Sequence, residues 1–155
     1  MIGSLMMCVS VVVLLFGMLA GIVMGIRQEF LLGPAHAHLN LVGGVLLFLF
    51  GLYYRLFPLV GRSTLARIQG WLHIVGGLLF PAGIALVLAV SHALEPIPIV
   101  GALVVLIAMA LFCVIVLKAE TGRTWALPRT HWQRNRGIVT EPIRRMAHPN
   151  DESRP

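Results

Sequence analysis

The segment "GPAHAHLNLVGG", residues 33–44, places two imidazoles, His36 and His38, two positions apart in a chain of 155 residues. Imidazole binds zinc, copper and iron, and it exchanges protons near neutral pH more readily than any other side chain. On a straight helix, residues i and i+2 point about 200° apart. One helix carrying both histidines therefore suits two sites on opposite faces and is a poor grip on a single ion. The other four of the six histidines are His73 in "GWLHIVGG", His92 in "AVSHALEP", and His131 and His148 near the C-terminus. The serines and cysteines have no evident base to activate them, which argues against a hydrolase. The two cysteines, Cys8 and Cys113, lie in separate apolar stretches without a CxxC spacing, so neither a disulfide nor a thiolate metal site is expected.

The elements that position these histidines follow from the solvent. The chain is 58% hydrophobic and only 12% charged, with a mean hydropathy of +0.90. Four apolar runs, residues 4–26, 36–57, 65–90 and 97–117, are each long enough to cross a bilayer, which takes about 20 residues. All four must be helical, because an isolated strand would leave its backbone groups unpaired in lipid. The first run has no basic flank before it and exceeds the apolar stretch of a signal peptide, so it is read as a retained helix. The expected fold is all-α: a four-transmembrane-helix bundle over residues 1–117, followed by a basic, partly disordered cytoplasmic tail over residues 118–155.

Charge sets the expected orientation. If the N-terminus is cytoplasmic, eleven of the twelve Lys and Arg residues fall inside and only Arg27 falls outside. Both termini are then cytoplasmic, and the net charge of +6 is a topology signal rather than a nucleic-acid signal. The expected partner is the lipid bilayer, and no nucleic acid. In the tail, Trp125, Trp132 and the arginines either rest at the headgroups or form a docking arm for a partner.

Glycine placement bears on how the helices close. Gly17, Gly21 and Gly25 repeat every fourth residue on the first span, which puts them on one face and lets another backbone approach closely. The pairs Gly43/Gly44 and Gly76/Gly77 either tighten helix contacts or leave a slot for a flat cofactor.

With this topology, His36 and His38 lie within about one turn of the outer interface, and His92 lies at the outer end of the third span. His73 sits about two turns in from the cytoplasmic end of that span, about 14 Å from His38 along the membrane normal at about 1.5 Å per residue. Ionisable groups at such depth call for a functional explanation. Glu29 and Glu95 are the only acids on the outer side, so there is no carboxylate cluster, and imidazole without carboxylate favours haem iron over zinc or a hard cation. If one iron takes two imidazoles at one level from different helices, the best pair in the chain is His38 with His92. His36, facing the other way, would serve a second haem, a metal or a neighbouring subunit. His73 is either a core histidine bonded to a backbone carbonyl or a ligand at a separate inner site. Arg27, alone outside, either pairs with Glu29 or lipid phosphate or holds haem propionates in a bidentate manner.

The order "AHAHLNLVGG…FGLYYRLFP…LARIQGWLHIVGG" resembles a helix pair of the catalytic subunit of C-family haem-copper oxidases and nitric oxide reductases, and it is similar to short four-helix bacterial membrane proteins described as cytochrome oxidase subunit I-like. The likeness spans residues 33–77. It implies that His36 takes a high-spin haem position and His38 a low-spin one. The sequence departs from the pattern in two places. Gly44 stands where the large oxidases carry tryptophan, and Gln69, Gly70 and Trp71 stand where they carry "HFW". No set of three copper-binding histidines is present, and four helices cannot build a twelve-helix core, so oxygen reduction by this chain alone is not implied.

These readings converge on an integral membrane haem b protein of the bacterial cytoplasmic membrane, with His36, His38, His92, His73 and Arg27 as cofactor-binding candidates and His36, His38 and His92 as metal ligands. Electron transfer is the expected role, as a homo-oligomer or within a larger respiratory membrane complex, with a quinone or a cytochrome as redox partner. Haem or metal sensing or delivery would use the same ligands. A structural subunit with residual histidines is the competing class.

Overall fold

A computed structural model describes residues 2–124, and the expectations for the tail beyond them lie outside the described residues. The element order is α1 (Ile2–Arg27), α2 (Gly33–His38), a π-helical stretch (Leu39–Leu46), α3 (Leu47–Leu56), α4 (Pro58–Gly61), α5 (Thr64–Ala89), a 3₁₀ turn (His92–Leu94) and α6 (Pro96–Thr124). Among the described residues, four helices are long and apolar enough to cross a membrane: Ile2–Arg27, Gly33–Leu56, Thr64–Ala89 and His92–Thr121. The described residues thus have the all-helical architecture of a multi-pass membrane protein that the hydropathy requires. Cys8 and Cys113 are both free and exposed on the helix surface.

Local signals set the helix ends. α1 stops at Gln28, which takes the left-handed conformation (φ 56°) usually reserved for glycine, while the Glu29 amide reaches back to the Met24 carbonyl at 3.3 Å; this is the closure that terminates many helices. α2 begins with Pro34 in its first turn, where a missing N–H costs nothing. α5 is capped by Ser63, whose hydroxyl accepts the Ala66 amide at 3.1 Å.

The second span differs from the straight α-helix expected from its sequence. Between Leu39 and Leu46 its backbone is π-helical, with wider turns. Each residue of an α-helix advances about 100°, so a π insertion rotates everything before it relative to everything after it. Here it re-aims α2, which carries both histidines, relative to α3. Neighbouring helices supply donors to this stretch: Ser10 Oγ donates to the Gly44 carbonyl at 2.9 Å, and His73 Nε2 lies 3.2 Å from the Val42 carbonyl.

A buried apolar core lies toward the end of the bundle holding the α1 N-terminus. Met6, Leu47, Tyr54 and Ala66 are buried there with Ile2 and Phe50, and Phe112 of α6 stacks on Phe50 at 4.0 Å. In lipid, such contacts hold helices together through van der Waals fit and hydrogen bonds. Glycines permit the approach. A β-carbon on Gly51 would stand 2.8 Å from the Gly3 carbonyl oxygen, and one on Gly43 would stand 2.8 Å from that of Gly77. The second contact has a covalent cause. Pro81 has no N–H to give the carbonyl four residues earlier, so Gly77 is left facing the neighbouring span. Gly44 is covered by Leu14, and Gly76 by Val104 and Val105. The paired glycines therefore tighten helix contacts and do not form a slot.

Candidate functional site

Toward the opposite end, where α5 and α6 still pack closely at Gly83 and Gly101, a gap opens beside α1. α1, α2 and α5 border a cleft of about 820 Å³, open to the bundle surface along exposed Val12, Phe16 and Leu19 and lined also by Ala20 and Met24 of α1, Ala35 and His36 of α2, and Pro81, Ala82 and Ala85 of α5. His36 is the one ionisable side chain on its wall. The small residues create the space: four of the fifteen lining positions are alanine, and Pro81 removes a hydrogen bond from the α5 backbone behind them.

The glycine stripe on α1 receives this histidine. A β-carbon on Gly21 would stand 2.9 Å from Cε1 and 3.2 Å from Nε2 of His36. On Gly17 it would run into the side-chain amide of Asn40, while Gly25 has nothing within 4 Å. Two of the three glycines thus make room for polar side chains from the second span, where the spacing had suggested a close backbone approach. His36 and Asn40 belong together. Asn40 Nδ2 lies 3.3 Å from each ring nitrogen of His36 and donates to the His36 carbonyl at 3.1 Å. Asn40 had no chemical signal in the sequence except its position four residues after His36.

His38 faces elsewhere, as the 200° separation demands. Its Nδ1 lies 2.7 Å from the Pro34 carbonyl, and because a carbonyl only accepts, Nδ1 carries the proton and Nε2 keeps its lone pair. This is the arrangement found in metal-ligating histidines. The ring stands edge-on to Phe80 of α5, with centroids 4.8 Å apart.

His92 is not brought to His38. Phe80 precedes the end of α5 at Ala89 by nine residues, a rise of about 13.5 Å, and His92 follows that end. Its side chain is 86% exposed and its Nδ1 pairs with Glu95 at 3.3 Å. His73 is fully buried near the middle of α5, bonded to the Val42 carbonyl and edge-on to Phe50 at 4.8 Å; the carbonyl bond is the contact expected of a core histidine, and Nδ1 is left without a partner. Arg27 is exposed at the C-terminus of α1. Among the described residues, no three or more His, Cys, Asp or Glu side chains gather closely enough to hold a metal ion.

The cleft is an apolar space with one imidazole on its wall. Cofactor pockets are typically about 300–1,000 Å³, mostly apolar, with a few placed polar groups. No protein-family profile, no curated protein and no solved structure matches this chain.

Proposed function

We propose that this protein is an integral membrane b-type haem protein serving electron transfer, with the cleft between α1, α2 and α5 as the haem site and His36 as its ligand. The observation that carries the reading is a mostly hydrocarbon-walled space of about 820 Å³ with a single imidazole on its wall. When bound, haem would supply a one-electron iron couple, tuned by its axial ligand and by the low dielectric around it. The chain's own residues would do the rest. His36 would coordinate; Asn40, in contact with both ring nitrogens, would fix the ring's rotation; Gly21 would leave room for the ring beside α1; and the alanines would admit the macrocycle. Arg27, one turn beyond Met24 on α1, would meet propionates near the surface.

With one imidazole on the wall, a second ligand would have to come from another group. This suits a homo-oligomer or a larger respiratory assembly in the bacterial cytoplasmic membrane, with a quinone or a cytochrome exchanging electrons at the site. His38, its Nε2 unengaged by the Pro34 contact, is the second candidate ligand. The test is haem quantitation on single alanine variants purified in detergent. His36→Ala should remove the haem and His92→Ala should leave it, whereas loss in His92→Ala with retention in His36→Ala would return the ligand set to the His38 and His92 pair.

A further inference from the structure

The buried polar groups around α5 point to a second site, independent of the cleft. Ser10, Gln69 and His73 are the fully buried polar side chains of the described bundle. Ser10 is satisfied by the Gly44 carbonyl. The other two are only half satisfied. Gln69 Oε1 accepts the Tyr54 hydroxyl at 2.9 Å, but its amide Nε2 has no partner. His73 Nε2 lies 3.2 Å from the Val42 carbonyl, so Nε2 carries the proton, and Nδ1, which also has no partner, is left as an acceptor.

Gln69 and His73 are four residues apart on α5 and therefore neighbours on one face of the helix. An unpaired donor and an unpaired acceptor thus stand one turn apart inside a bundle where lipid offers neither of them a partner. Their polarities are complementary. The two groups do not bond to each other directly, although a shared partner between them would satisfy both.

We propose that Gln69 and His73 bind one internal water molecule. The Gln69 amide donates to the water oxygen, and the water donates to His73 Nδ1, giving the water two polar partners, the lower end of the range for internal waters. A single chain of bonds then runs in one direction: Tyr54 hydroxyl to Gln69 Oε1, Gln69 Nε2 to water, water to His73 Nδ1, and His73 Nε2 to the Val42 carbonyl. Bonds aligned this way polarise one another and strengthen the whole. The chain is a strut that starts on α3, crosses α5 and ends on the π-helical stretch, so it braces the segment that aims α2 and its histidines.

Nuclear magnetic resonance of the isotopically labelled full chain in lipid bilayers tests this directly on the wild-type protein. The expected result is a His73 ring protonated at Nε2 with a hydrogen-bonded Nδ1, together with a magnetisation-transfer peak from water to the Gln69 side-chain amide. That water peak should disappear in Gln69→Leu, and His73→Phe identifies the ring resonances. A His73 ring protonated at Nδ1, or a Gln69 amide that shows no contact with water in the wild type, would overturn the site.

Discussion

Three glycines with the same spacing on α1 should respond to the same substitution in three different ways. Replacing Gly21 with alanine puts a β-carbon 2.9 Å from His36 Cε1 and 3.2 Å from Nε2, closer than carbon atoms pack by roughly half an ångström or more. The ring must move, yet Asn40 lies 3.3 Å from both of its nitrogens. Overpacking of this kind costs about 1–3 kcal/mol. If that cost falls on the ligand pose, haem affinity drops by roughly 5- to 150-fold at about 1.4 kcal/mol per tenfold. Gly17→Ala displaces Asn40 instead and should act on His36 at second hand, with a smaller loss of haem. Gly25→Ala meets nothing within 4 Å and should leave haem content unchanged, with thermal stability equal or slightly higher because alanine favours the helix by up to about 1 kcal/mol. Haem titration and thermal unfolding of the three variants in one detergent decide the matter. Equal effects at Gly21 and Gly25 would refute the claim that the stripe exists to seat a histidine.

Other outcomes can be checked with single variants. Tyr54→Phe removes the hydroxyl that Gln69 Oε1 accepts and strands a buried oxygen, so stability should fall by about 1–3 kcal/mol, read as a lower unfolding temperature with α-helical content retained; no change would mean that Gln69 finds another donor. Arg27→Gln should shift the haem midpoint potential or loosen haem, and an unchanged spectrum and midpoint would assign Arg27 to lipid or to the solvent edge. For topology, a reporter fused after Pro155 should be cytoplasmic and one inserted between Gln28 and Gly33 external; the reverse pattern would invert the bundle.

The four spans were readable from composition because a long, continuously apolar segment can satisfy its own backbone across lipid only as a helix. The opposite aims of His36 and His38 were readable from helical geometry, and the structure sends one ring to Gly21 of α1 and the other to Phe80 of α5. The π-helical stretch was not readable. "LNLVGGVL" is apolar on nearly every face, so a rotation of the helix leaves no mark on its hydrophobic pattern. The separation of His38 and His92 was hidden for a related reason. Span ends tolerate tilt and mismatch, so equal distance from two span ends does not mean equal depth, and α5 runs nine residues past the one that meets His38. Asn40, Ser10, Gln69 and Tyr54 were missed because a single polar residue in an apolar run shows its role only when its partner, on another helix, is known.

The central claim is that the cleft beside His36 holds haem, and the reduced-minus-oxidised absorption spectrum of the purified full chain, supplied with haem during expression, tests it most directly. A b-type band that is present in the wild type and lost in His36→Ala, while helical content is unchanged, is the result expected. A wild-type protein that folds into the same helical bundle and shows no such band would contradict the account and leave His36 as a packing residue of a structural membrane subunit.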